Sequence, residues 1–330
     1  MVSQALCQKG KEVINMSHFT VGVILENPKG DNEKFQRELE KALEPFQENN
    51  EGDCPKQYLQ FNSVTEEEKE NYGTGTITKV RCPDGKLVCP WDEMFRVKGT
   101  IGICFGSERS HKVPENAGFE EVEIPYKELY PTFEQYIEES CGYKLDEEMQ
   151  DYGYWENPNA KWDWWSVGGR WRDTLLVKGE DYIKGERSFF NLSEDKQAPD
   201  GYTWASGGRI GDIDFKKSMQ GEYEKAIRFW EIVVDGQPLK DGEKEPFNVY
   251  KHEYYIEQYG TKENYAEQQS TFSTYALLID GKWISRGEMG WFGVDDSTKE
   301  RKKAYLEKFK EVMSAEENQD KLFVVVDCHI

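Results

Sequence analysis

The chain has 330 residues, enough for a sizeable core, and sets 63 Asp and Glu against 42 Lys and Arg, a formal net charge of −21. Binding a nucleic-acid backbone needs local positive charge, so such a backbone is excluded as the main partner, although a small basic pocket is compatible with overall acidity. The longest apolar runs, such as residues 323–326, fall far short of the roughly 20 residues a bilayer span requires, and residues 1–15 lack the apolar stretch of a signal peptide, so no membrane partner and no export are expected.

Seven scattered cysteines, Cys7, Cys54, Cys82, Cys89, Cys104, Cys141 and Cys328, suit reduced thiols in a cytosol better than a disulfide framework. Cys82 and Cys89 flank PDGKLV and read as small half-buried residues of a hairpin rather than as a metal clip. Residues 1–15 are expected to be a non-native or disordered leader. The codons for Gly10 to Val13 can spell a bacterial ribosome-binding sequence before Met16, and SHFTVGVIL turns strand-like at once. Residues 16–330 are expected to form a single elaborated domain.

In chain order, residues 18–25 read as a core strand, rich in β-branched and aromatic residues and closed by ENPKG. Residues 31–48 place Phe35, Leu39, Ala42, Leu43 and Phe46 at helical spacing, with Asp31 or Asn32 as cap and Pro45 as the stop. The TEEEKE run is a helix start whose carboxylates suit the positive end of the dipole. Residues 77–88 fold as a hairpin about PDGK, and residues 99–105 are a further short strand. Residues 130–141 predict an amphipathic helix, with Pro131 near its start and Gly142 just past its end.

Strands are predicted at 172–178 and at 275–279, the latter turning through Asp-Gly into 282–285. Residues 216–230 read as helical, 297–314 as a helix lying on a sheet, and 321–329 as the final strand. Strands at both ends enclosing helices and hairpins predict an α+β fold with a mixed, mostly antiparallel sheet. Adjacent first and last strands would give a ferredoxin-like core.

Two segments match W-x-x-G-G-R-x-x-D, beginning at Trp165 and Trp204. Their flanks do not align, which indicates a reused local device rather than a repeat array. A Gly-Gly pair adopts backbone angles closed to other residues and points amides at an anion, and the following arginine adds a bidentate fork. Gly168, Gly169 and Arg170 with Gly207, Gly208 and Arg209 are therefore candidates to hold a phosphate or carboxylate. Trp165, Trp171 and Trp204 are candidates to wall the pocket and stack on a base. The competing reading is structural: tryptophans in a core, glycines in turns, and arginines bridged to Asp163 or Asp173. A protein-protein hot spot, rich in tryptophan and arginine, is a third.

Asp212 and Asp214 are two apart, as are Asp327 and His329 on the last strand, so each pair shares one face of a strand. With Glu288 they form a candidate set for a divalent metal cofactor or for acid-base chemistry, and His18 at the edge of the first strand is a further candidate. Solvated strand ends explain the same residues without a ligand.

Four stretches, MSHFTVGVI, YGYWENPNAKWDWWSVGGRW, RGEMGWFG and VVDCHI, together resemble a family of largely uncharacterised proteins encoded by phages, prophages and bacteria. The resemblance covers nearly everything from Met16 to Ile330 and carries no established catalytic residue. The charged helix between LENP and LEPFQENN is longer than the family pattern. The resemblance implies a phage accessory role in the bacterial host cytosol, a class that includes inhibitors of bacterial immunity.

Three functions follow as expectations. The leading one is a phage-type anti-defence protein that binds a host defence protein or a nucleotide-like small molecule. The second is a metal-dependent hydrolase acting on a phosphate-containing small molecule. The third is an acidic decoy of nucleic acid, against which stands the interspersion of Lys and Arg in stretches such as KERKKAYLEKFKE.

Overall fold

The computed structural model describes residues 18–97, 111–114, 117–186, 197–290 and 294–330. The expected leader, the strand expected at 99–105 and residues 291–293 of the RGEMGWFG stretch lie outside the described residues. The described residues divide into two compact units: Lys56–Pro158 form one, and residues 18–55 join Asn159–Ile330 in the other.

The larger unit is organised by its last strand, Leu322–His329, all eight residues of which are buried. A strand covered on both faces reads as a continuous apolar run, which is why LFVVV needs no polar alternation. The first strand, His18–Leu25, pairs with it antiparallel over its full length, His18 opposite His329 and Leu25 opposite Leu322. On its other side the first strand runs parallel to Ala276–Ile279. That strand turns at Asp280 and Gly281, both at positive φ, into Lys282–Ser285. This is the tight hairpin that Asp-Gly favours.

Along the opposite edge of the last strand two short strands lie end to end. Trp164–Val167 pairs with residues 326–329, and Gly207–Arg209 with residues 322–324. The result is the expected α+β fold with a mixed, mostly antiparallel sheet, and its first and last strands are adjacent. The order departs from a ferredoxin-like core in one respect. The strand beside the first strand is the parallel Ala276–Ile279, and its hairpin partner takes the edge, whereas a split βαβ would insert an antiparallel strand there.

The period-two alternation of the last strand divides the core. Val324, Val326 and Cys328 face Val21, Val23 and the Phe35, Leu39 and Leu43 stripe of helix Asn32–Leu43. Phe323 and Val325 face Leu277 and the Tyr305, Phe309, Val312 and Met313 stripe of helix Lys299–Ser314. Each fully buried Val, Leu or Phe contributes about 1.5–3 kcal/mol relative to exposure. Asp31 caps the first of these helices through the Lys34 amide, and Thr298 caps the second through the Arg301 amide. The helix expected at 216–230 is two helices, Phe215–Ser218 and Gln220–Val233, the first capped by Asp214.

In the smaller unit, Thr76–Arg81 pairs with Leu87–Val88 across the PDGK turn and with Glu120–Pro125. Asp151–Glu156 lies between Gln60–Ser63 and Leu145–Asp146. Helix Thr65–Thr74 begins with the TEEE carboxylates. The helix expected at 130–141 begins instead at Phe133, behind a Thr132 cap, and widens into a π turn at Tyr136–Ser140. That turn accompanies the burial of both Tyr136 and Ile137, neighbours that packing on one narrow α-helical stripe would separate. Among the described residues no helix is long and apolar enough to cross a membrane.

Candidate functional site

At one end of the large sheet, three directly paired residues form a row across three neighbouring strands. His18, His329 and Trp164 stand side by side, because His329 is opposite both His18 and Trp164. The next row on the same face is Thr20, Asp327 and Ser166. Residues opposite one another across a ladder approach closely enough to interact directly. The ring centres of His18 and His329 are 4.9 Å apart, and the Trp164 ring lies stacked on His329 at 5.3 Å. Trp164 also meets His18 edge-on at 5.3 Å.

Each imidazole is oriented by a carboxylate. His18 Nδ1–H donates to Asp327 Oδ1 at 2.8 Å, and His329 Nδ1–H donates to Asp163 Oδ1. The Nδ1 protons are assigned from the partner, because an ionised carboxylate only accepts, and Nε2 is the other nitrogen of each ring. Asp163 is itself held by its amide, which donates to the His329 carbonyl at 2.9 Å.

Asp327 is 1% exposed, so its second oxygen requires a donor as well. The Arg170 backbone amide supplies it, donating to Oδ2 at 2.9 Å. The Gly168-Gly169 pair makes that approach possible, with φ of +74° and +46°. A Cβ on Gly169 would collide with Asp327 Oδ2, and one on Gly168 with Ser206 Oγ. Ser206, fully buried, accepts from the Asp173 amide at 2.8 Å and donates to the Asp173 carboxylate at 3.2 Å. The first W-x-x-G-G-R-x-x-D segment is thus a backbone device that aims an amide at an anion, and the anion is a carboxylate of the same chain.

Burial pushes the His18 imidazole below its ordinary range, opposed by the hydrogen bond and charge of Asp327 and assisted by the charges of Arg170 and His329. A neutral His18 is therefore favoured near pH 7. Cys328, between the two polar residues but on the opposite face, is fully buried, and that burial raises its thiol well above the usual range.

The remaining predicted residues are distributed as follows. Trp165 packs partly buried against one core cluster and Trp171 against the other. Trp204 lies in the strand Tyr202–Ala205, its Nε1–H donating to the Gln197 carbonyl at 3.3 Å. Gly207 and Gly208 permit close packing, since side chains there would collide with Val324 and Val177. Arg209 forks onto Asp212, at 2.7 and 2.9 Å, and reaches Asp320 at 3.0 Å. It stands opposite Leu322, five residues from Asp327 along the strand, or about 17 Å at the usual rise. The two Gly-Gly-Arg segments share an edge and do not converge on one hollow.

The candidate metal ligands are similarly dispersed. Asp212 serves Arg209, and Asp214 caps a helix while accepting from the Tyr202 hydroxyl at 3.0 Å. Glu288 pairs with Lys161 at 2.7 Å. Only Asp327 and His329 come together, joined by His18. Among the described residues, no three His, Cys, Asp or Glu side chains form a set that could hold a metal ion. Sequence reading missed Asp163 and Trp164 as members of the site. Their signal was the antiparallel adjacency of the first and last strands, which sets His18 across from His329, together with a third strand bringing KWDWW alongside.

No protein-family model, curated protein or solved structure matches this chain.

Proposed function

We propose that the larger unit binds a phosphate-bearing, nucleotide-like small molecule at the histidine end of its sheet. The observation that carries this reading is the 41% exposed Trp164 with the exposed Arg170, at the sheet end where two buried imidazoles are each fixed through Nδ1 by a carboxylate. A guanidinium fork supplies the positive charge that an anion needs near a molecule of net charge −21, while the two imidazoles, with side chains 7% and 2% exposed, lie buried and fix the strand ends. An exposed indole beside them supplies a stacking face for a base, worth about 1–3 kcal/mol. In a phage-type accessory protein, capture of such a ligand would silence a host defence that signals through it. Docking of this face on a defence protein is the other form of the same anti-defence role.

The test is a thermal-shift and calorimetric screen of the full chain against nucleoside mono-, di- and triphosphates and cyclic dinucleotides. A ligand-induced rise in Tm that shrinks in Arg170→Ala and in Trp164→Ala is expected. A shift unchanged in both variants, or no shift with any member of the panel, overturns the reading.

A further inference from the structure

Away from the ligand site, we infer that the helical face of the larger unit is a self-docking surface, on which the arm at residues 247–250 of one copy fills a groove on a second copy. Helices Gln220–Val233, His252–Tyr259 and Lys262–Gln269 build a core of their own around Trp230, Tyr255 and Tyr265, separate from the two cores that cover the sheet. The first and third of these helices, with the coil at 243–246, line an open groove of about 770 Å³ that includes Ala226, Phe229, Ile232 and Tyr265. That volume lies within the roughly 300–1,000 Å³ of clefts that hold a ligand-sized group.

The coil after the first helix is clamped beside this groove. Arg228 forks onto Glu243 at 2.8 and 2.6 Å and donates to the Pro238 carbonyl at 2.9 Å, and the Lys240 amide donates to Glu243 at 2.8 Å. Farther along, Asn248 accepts from the Tyr255 hydroxyl at 2.7 Å, and the Tyr250 ring stacks on Tyr254 at 4.2 Å. These contacts fix the arm with its apolar side chains outward. Phe247 is 89% exposed and Val249 70%, the two highest exposures of large apolar side chains among the described residues. Burial would stabilise both.

The occupant is a second copy of this chain for two reasons. Pro246 lines the groove while its neighbour Phe247 stays in water, so one chain presents both an aromatic plug and a groove that its own plug leaves open. A reciprocal exchange of the two closes with two-fold symmetry and leaves no open end. Charge agrees with this pairing. Lys244 and Lys251 bracket the arm, whereas the helix wall of the groove carries Glu222 and Glu224 beside Lys225, with Arg228 already committed to Glu231 and Glu243. The contact therefore brings opposite charges together in a molecule whose net charge of −21 otherwise repels its own copy.

Sedimentation equilibrium of the full chain over a concentration series reads the balance of monomer and dimer, and a reversible dimer is expected. Phe247→Asp puts a charge at the tip of the arm, on a side chain that lies in water and on which the fold does not depend. Gly221→Trp fills the groove from a helix position where an added Cβ meets open space. Each is expected to raise the dimer dissociation constant about 30-fold or more, with the circular dichroism of wild type retained. Mixed in equal amounts, the two variants keep one intact arm and one intact groove, and a heterodimer tighter than either homodimer is expected. A monomer at every concentration, which would leave this face to a different protein, overturns the inference. A dimer that either folded variant leaves as tight as wild type, or a mixture no tighter than its parts, overturns it as well.

Discussion

Gly169 and Asp327 are packed so closely that any side chain at residue 169 would occupy the space of the Asp327 carboxylate. Their contact joins a left-handed turn to the central strand, and through Asp327 it reaches His18. Gly169→Ala is expected to cost about 2–4 kcal/mol, combining backbone strain with displacement of a buried hydrogen-bonded carboxylate. Gly30 also has a positive φ, +82°, but open space around it, and Gly30→Ala is expected to cost only about 1–2 kcal/mol. Urea unfolding of both variants measures the difference, and equal costs would mean that the close approach to Asp327 is unimportant.

The two arginines of the repeated segment should separate in their effects. Arg170→Ala weakens binding of a nucleotide-like ligand and leaves the Asp327 contact in place, because that contact uses the backbone amide. Arg209→Ala instead breaks a partly exposed bridge to Asp212 and Asp320, costs less than about 1 kcal/mol of stability and does not alter ligand affinity. Parallel calorimetry and thermal denaturation of the two variants check this division.

Acid should destabilise the larger unit partly through His18. Its native pKa lies below the value of the unfolded imidazole, so the unfolded chain binds more protons in the interval between them. The stabilising contribution is complete above the unfolded value, near pH 6.5, and is lost as pH falls below it toward the native value. The groups facing His18 are Asp327, His329 and Arg170, and depressed carboxylates elsewhere, such as Asp212, add losses in the same direction at lower pH. His18→Asn should therefore show a smaller fall in stability between pH 7.5 and pH 5.5 than wild type. Identical slopes would remove His18 from the account.

Thiol labelling offers a separate check on the same strand. Cys328 is fully buried, with its thiol raised well above the usual range, so it should react with a thiol reagent only after unfolding. Peptide mapping after limited labelling should find Cys89, which is partly exposed, modified before Cys328. Early modification of Cys328 would mean that the central strand opens locally.

In the smaller unit, the Tyr136 hydroxyl donates to Glu68 at 2.7 Å from a ring that is 2% exposed. Tyr136→Phe removes that donor and keeps the aromatic packing, and is expected to cost about 1.5–3 kcal/mol. Tyr72→Phe removes a hydroxyl that donates to the Tyr130 carbonyl, a bond to a neutral group, and should cost about 1 kcal/mol. Denaturant midpoints of the two variants test whether the charged partner makes the difference.

What the sequence determined by itself was local: the strands at both ends, the capped helices with their apolar stripes, the Asp-Gly hairpin and the glycine pair poised to aim an amide. These follow from side-chain spacing and turn chemistry within a few residues, and Asp327 and His329 were recognisable as sharing a face on that basis alone. Only the tertiary structure decided what the amide aims at and which groups meet. The His18–Asp327 bond spans 309 positions, and it exists because two apolar strands pair in the one register that buries Val21, Val23, Val324 and Val326 together. The same pairing separated Arg170 from Arg209, since two similar segments docked on opposite halves of a single strand. Register is set by the burial of whole faces across the fold, a quantity that no short stretch of chain contains.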